Sequence, residues 1–241
     1  VFDAHQHPRG AQGWRAARAA GVRSAVLAGE GPADWAALAA AAPPDRHWIA
    51  GLHPWWVDRA TPPAIDAALA ALEAQLAAGG PVGVGECGLD HARARTDEGR
   101  ARQAAALQAQ LDLARAHDLP VVLHVVRATG AALDLVGAVP PPRGGLVHGF
   151  VGAREVAKRW HRLGFCVGIG PGLLRSRRLR EAVPRLPAAA LVLESDDTDP
   201  AETLPAVLAA LAALRDEDPD HTARYTAANA RRLFGLPGGS A

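Results

Sequence analysis

Six of the ten histidines, His5, His7, His53, His91, His124 and His148, fall at or just after the end of an apolar run that reads as a strand. Glu86 ends another, inside Gly83-Val84-Gly85-Glu86-Cys87-Gly88-Leu89-Asp90, and Glu194-Ser195-Asp196-Asp197 closes the last. In an extended chain, residues two apart leave the same face, so His5 and His7 can share one ion. Imidazole and carboxylate together suit Zn²⁺, Mn²⁺ and other divalent ions. A single histidine at a strand end is ordinarily a hydrogen-bonded loop residue. His5, His7, His124 and His148 converging with Glu86 and Asp196 are a different case, since without a cation they are a costly group of unpaired polar side chains.

The two acids divide by position. Glu86 follows a run that must be wholly buried, and a buried carboxylate needs a partner. A bridge between two ions is the natural one, and a salt bridge to an arginine is the structural alternative. Asp196 ends the last strand, which in a closed barrel neighbours the first, so it comes near His5 and His7. It can ligate an ion and also take a proton from the attacking water. Asp196 and Glu86 are therefore the candidate catalytic residues. Pleat alternation sends Glu194 to the same side as Asp196, and Asp3 shares the face of His5, so both are candidates for orienting ligands.

Such residues must be positioned by regular elements. Strands are expected at Val1–His7, Val22–Gly29, His47–His53, Val82–Glu86, Pro120–Val125, Gly145–Phe150, Phe165–Gly170 and Leu191–Asp196. Helical spacing appears at Trp14–Ala20, Ala33–Ala41, Ala64–Ala78, Glu98–His117, Ala131–Val136, Ala153–Leu163, Arg175–Val183 and Leu204–Arg215, with a closing helix at Thr222–Phe234. In the longest, Leu107, Leu111 and Ala114 form one apolar face, with arginine and glutamine expected on the other. Strands alternating with helices need a parallel sheet. Eight such units in 241 residues point to an α/β fold of the (β/α)8 TIM-barrel class, whose active sites lie at the carboxyl ends of the strands. A doubly wound sheet is the alternative, but no Gly-x-Gly-x-x-Gly follows the first strand.

Length and composition agree with one medium-sized domain over residues 1–241. Hydrophobic residues make up 49% and charged ones 21%, which excludes low-hydrophobicity disorder. No basic segment with an apolar run precedes the first strand, and no window reaches the roughly 18 unbroken apolar residues of a membrane span. A cytoplasmic monomer with neither membrane nor protein partner is expected. Cys87 and Cys166 lack metal-site or disulfide company and read as small buried hydrophobes. The formal charge is +1, and all but one of the 26 basic side chains are arginine, Lys158 being the exception. Nine of them fall between Arg154 and Arg185 against Glu155 and Glu181. Most read as solvated helix faces, with Arg175, Arg177 and Arg178 the candidates for phosphate contact.

Asp3-Ala4-His5-Gln6-His7, Gly51-Leu52-His53-Pro54, Gly85-Glu86-Cys87-Gly88-Leu89-Asp90, Leu123-His124, Val147-His148-Gly149-Phe150 and Leu193-Glu194-Ser195-Asp196 resemble, in that order, the TatD family of metal-dependent hydrolases. Gly164 to Gly170 and Asn229-Ala230-Arg231-Arg232-Leu233-Phe234 extend the resemblance over nearly the whole chain. It implies a TIM barrel, divalent metal and deoxyribonuclease activity. It also implies that His5, His7, Glu86 and Asp196 hold one ion while Glu86, His124 and His148 hold a second. His53 and Arg127 are the candidate substrate contacts.

The sequence departs from the family at three places. Pro8-Arg9-Gly10 replaces the usual acid after the first His-x-His. The arginine after His124 stands three places on, at Arg127. Asp197-Thr198-Asp199-Pro200 replaces the long last loop with its Arg-Asn-x-Pro signature. A carbamylated-lysine bridge is ruled down because Lys158 lies on a helix and Glu86 occupies the bridge position. The reading is a hydrolase whose two ions, Zn²⁺, Mn²⁺ or Mg²⁺, activate water against a phosphodiester of DNA. The shortened last loop motivates an alternative substrate, an aminoacyl-tRNA ester or a small metabolite ester or amide. An interaction protein that keeps the barrel only as a scaffold is the alternative of another class.

Overall fold

The computed structural model describes residues 1–42 and 44–238. In chain order its elements are β1 (Phe2–Gln6), α1 (Gly10–Ala19), β2 (Ser24–Leu27), α2 (Pro32–Ala41), β3 (Arg46–Trp48), α3 (Pro54–Arg59), α4 (Pro62–Ala78), β4 (Val84–Asp90), α5 (Asp97–Ala116), β5 (Val121–Val126) and α6 (Thr129–Ala138). There follow β6 (Gly145–Val147), α7 (Arg154–Arg162), β7 (Phe165–Ile169), α8 (Gly172–Arg175), α9 (Arg177–Ala182), β8 (Leu191–Leu193), α10 (Pro200–Arg215) and α11 (Pro219–Leu233). The eight strands expected from apolar runs are present in the expected order.

The chain forms two compact units, one of Val1–Leu27 with Val147 onward and one of Ala28–Leu146. In the first, β1 runs parallel to β2 and β7 parallel to β8. A parallel bridge between Gln6 and Asp196, with the Asp196 amide donating to the His5 carbonyl at 3.0 Å, joins β1 to the segment after β8. In the second, β4 runs parallel to β5, and a parallel bridge from Ala50 to Val84 sets the segment after β3 beside β4. Every residue of β1, β2, β4 and β7 is buried, as expected of parallel strands covered on both faces.

Boundaries differ from the sequence reading where side chains, not periodicity, decide them. The third strand ends at Trp48 rather than His53, because His53 leaves the sheet to cap α3, its ring accepting the Trp55 amide at 3.0 Å. β4 runs on to Asp90, four residues past Glu86. β8 stops at Leu193, and Asp196 beyond it lies in the left-handed region at φ +56°, outside any regular pleat. The expected alternation from Glu194 to Asp196 therefore does not apply. The basic segment expected as one helix from Arg175 is two, α8 and α9, parted at Ser176, whose hydroxyl caps the second.

α5 corrects a second expectation. Leu107, Leu111 and Ala114 are buried as the spacing requires, but so are Gln103 and Gln110, four before and three after Leu107 on the same face. Their amides bond to neighbouring elements, and the Gln103 amide also donates to Asp58 Oδ2 at 3.0 Å. Gln110 accepts from the Leu52 amide at 2.7 Å and donates to the Leu52 carbonyl at 3.2 Å, and Gln103 accepts from the Asp90 amide at 2.8 Å. The two glutamines thus clamp the chain immediately before His53 and at the end of β4.

Candidate metal centre

In the first unit, the ends of β1 and of the segment after β8 bring three donors together. His5 Nε2 and His7 Nε2 each stand 3.7 Å from Asp196 Oδ1, and His148 Nδ1 stands 4.0 Å from it. The His5 and His148 rings stack with centroids 4.2 Å apart, while His7 meets His5 edge-on at 5.3 Å. Donors each about 2.1 Å from one ion stand roughly 3–4 Å apart. His5, His7 and Asp196 fit a divalent cation by that measure, with one ligand atom of each lying within 4.8 Å of the others. His5 is buried, but His7 is 26% and Asp196 31% exposed, so the group opens toward solvent.

Two buried carboxylates, Asp3 and Glu194, adjoin this group. Asp3 accepts the Ser195 hydroxyl at 2.5 Å and the Ser195 amide at 2.9 Å, and so ties β1 to the residue before Asp196. Burial pushes the Asp3 carboxyl up to about 7, against the hydrogen bonds from Ser195. Asp3 Oδ1 also accepts the His5 amide at 3.4 Å, so its carboxylate holds the backbone on both sides of this group. Glu194 accepts the Gly149 amide at 2.6 Å, next to His148, and burial pushes it up to about 8. A Cβ at Gly168 would stand 1.9 Å from Glu194 Oε2, so β7 carries a glycine there to admit this side chain.

In the second unit, Glu86, His53 and His124 form a buried, hydrogen-bonded group. Glu86 Oε1 lies 2.9 Å from His124 Nδ1 and 3.0 Å from His53 Nε2, and the two rings approach to 3.3 Å. Because His53 Nδ1 accepts the Trp55 amide, the neutral ring carries its proton on Nε2, aimed at Glu86. His53 is thereby set as a donor to the carboxylate. Asp90 Oδ2 faces His124 Nε2 at 3.4 Å and accepts the Trp55 indole N–H at 2.7 Å. Its other oxygen takes the Ala92 and Arg93 amides, and these hydrogen bonds hold the Asp90 carboxyl low against its burial. The Arg93 guanidinium covers the Trp55 ring at 3.8 Å. The β4–β5 contact is close enough that a Cβ at Gly88, φ +143°, would stand 2.0 Å from the His124 carbonyl oxygen.

Trp55, Asp90, Gln103 and Gln110 received no role from sequence. Asp90 had a signal, since it ends the Gly88-Leu89-Asp90 run, and the glutamines had one in their spacing from Leu107. Arg127 is exposed after β5 with φ +53°, and His91 belongs to neither donor group among the described residues. Cys87 and Cys166 are buried free thiols pushed up by burial, as expected of inert packing residues. Arg175 and Arg178 are exposed, and the exposed Arg177 pairs with Glu181 at 2.7 Å. Among the described residues no helix is long and apolar enough to cross a membrane.

Parallel βα units that end in histidines and carboxylates define a metal-dependent hydrolase of the (β/α)8 barrel class. The family model described as TatD related DNase matches residues 2–235, and the chain belongs to that family. The uncharacterized metal-dependent hydrolase YjjV of Escherichia coli strain K12 is 34% identical over 200 residues, covering 78% of this chain and 76% of that protein. A crystal structure of YjjV, a TatD homologue, superposes with a TM-score of 0.88 at 30% identity, covering 98% of each chain. The 3'-5' ssDNA/RNA exonuclease TatD of Klebsiella pneumoniae strain 342 is 34% identical over 242 residues, covering 91% of this chain and 89% of that one.

Proposed function

We propose that residues 1–241 form one hydrolase domain, a cytoplasmic monomer, that cleaves phosphodiester bonds of DNA using two divalent ions. The candidate ions are Zn²⁺, Mn²⁺ and Mg²⁺, and the ligands are His5, His7, Glu86, His124, His148 and Asp196. The observation that carries the reading is the half-open group of His5, His7 and Asp196, with donors 3.7 Å apart at the end of β1. The nuclease names of relatives such as the Klebsiella protein support the choice of substrate.

Divalent ions, when bound, polarise the phosphoryl group and make water a competent nucleophile at neutral pH. Asp196, the most exposed carboxylate of its group, takes the proton as the water oxygen bonds to phosphorus. The P–O bond to the leaving sugar oxygen breaks, and that oxygen takes the proton held by Asp196 and leaves as the alcohol, which returns Asp196 to its carboxylate form. Arg127, exposed after β5, and His53 are the candidate contacts to the substrate phosphates, although the His53 Nε2–H faces Glu86 at 3.0 Å, which leaves Arg127 the more accessible of the two. The test is hydrolysis of single-stranded and duplex DNA by metal-loaded and chelator-stripped protein. Metal-restored cleavage is expected, and intact DNA with every divalent ion tried would end the reading.

A second substrate reading is favoured by one feature. Only residues 194–199 separate β8 from α10, whose first turn Asp199 caps, so little chain is left there to wall a polymer substrate. Aminoacyl-tRNA and small esters therefore belong in the same assay.

A further inference from the structure

The unit that carries His5, His7 and Asp196 has a groove of about 650 Å³ at the opposite end of its strands. Arg23, which immediately precedes β2, and Arg224, Arg231 and Arg232 of α11 line it. Alanines of α11 form its floor, and Asp220 is the one carboxylate among the described residues that line it. β1 separates this end from His5 and His7, a span of about 17 Å for five extended residues.

Two of these guanidinium groups are held by neutral partners. Arg232 donates to Asn229 Oδ1 at 3.0 Å and to the Ala189 carbonyl at 3.3 Å, and Arg231 lies over the Phe2 ring at 5.2 Å. Among the described residues none of the four arginines pairs with a carboxylate, whereas Arg154 and Arg177 on other helices each do. An arginine-rich composition accounts for many solvated arginines. It does not account for four lining one concavity, two of them fixed, with their charge left unneutralised. Arg224 and Arg231 are seven residues apart, two helical turns or about 10.5 Å. That spread suits successive charges along a chain better than one small anion.

We propose that this groove binds the phosphodiester backbone of a single-stranded nucleic acid, as a second contact away from the metal ligands. The proposal rests on the nuclease reading for the identity of the polyanion. Its test is binding, separated from cleavage. Fluorescence anisotropy with a labelled single-stranded oligonucleotide of about thirty nucleotides, in chelator across a salt series, compares the parent with the Arg23→Ala/Arg224→Ala variant. Both side chains are exposed, so the variant folds, and an unchanged melting temperature checks this. The variant is expected to bind about tenfold more weakly, with a slope of log affinity against log salt shallower by about 1.4, at roughly 0.7 per contact. Its turnover of a di- or trinucleotide, too short to reach the groove, is expected to match the parent. Unchanged affinity and slope would overturn the proposal, as would equal affinity of the parent for polyglutamate of the same length. Failure of the nuclease reading shows separately, as metal-loaded parent that leaves every phosphodiester intact.

Discussion

The two donor groups use the same side chains to opposite effect. Around Glu86 the contacts are 2.9–3.3 Å, the carboxylate is 1% exposed, and Trp55, Asp90 and the glutamines of α5 hold the surroundings. Around Asp196 the contacts are 3.7–4.0 Å and two of the donors reach solvent. A group already knit by hydrogen bonds is preorganised and costs little ordering when a ligand arrives. A group held apart, with its backbone pinned by Asp3 and Ser195, leaves room for a cation and for the water and substrate beside it. The contrast teaches that donor type marks where metal chemistry can occur, while the hydrogen bonds behind the donors decide which group is anchored and which is open.

The strongest way to break this contrast is at Asp196. If the open group supplies the proton acceptor, Asp196→Asn lowers turnover by about 10²–10⁴-fold, with the circular dichroism spectrum unchanged and at least one ion retained. Activity within a fewfold of the parent at saturating metal would remove Asp196 from the reaction.

Metal content tests the anchored group. Glu86→Gln is expected to lose more bound metal than His148→Ala, measured by elemental analysis of the purified proteins, because a carboxylate serving more than one ion weakens every site it serves. Equal and full occupancy in both variants contradicts that role.

Trp55→Phe sharpens the contrast further. It keeps an aromatic side chain but removes the indole N–H that holds Asp90 against His124, together with one of the two fused rings, so an unchanged melting temperature is checked alongside. Loss of such an outer partner lowers metal affinity by about 10–100-fold, read by chelator competition, and should weaken one ion while sparing the other. Uniform weakening, or none, would show that the anchoring does not come from this hydrogen bond.

The smallest effect lies after α10. Glu217 accepts from Thr222, Tyr225 and Arg215 after α10, and these bonds hold its carboxyl below the usual value despite burial. A lowered value means stability that is present above the ordinary carboxylate range and lost as pH falls through the folded-state value. Glu217→Gln should cost about 1 kcal/mol at neutral pH and less in acid, followed by urea melts at several pH values, with metal affinity of both groups unchanged.

Much of the architecture was legible because buried parallel strands must be apolar throughout and helices must show a face. Eight apolar runs separated by amphipathic segments were therefore enough for order and fold class. α3 was not legible, since Pro54-Trp55-Trp56 reads as a turn until His53 caps it. The inward turn of Gln103 and Gln110 escaped because polarity was taken to mean exposure. Those amides meet partners, Leu52, Asp58 and Asp90, that only the folded chain brings to them.

By itself the sequence determined the order of strands and helices, and it placed His5, His7, His53, Glu86, His124, His148 and Asp196 within or shortly after the strands without fixing where each strand ends. Local periodicity suffices for that, because it is set by neighbours one to four residues away. Tertiary structure alone decided who meets whom. Glu86 finds His124 across 38 residues and His53 finds it across 71, and Asp196 turns toward His5 and His7 through a left-handed backbone that no strand pattern encodes. These are long-range contacts and local departures from regular geometry, and neither leaves a period in the chain.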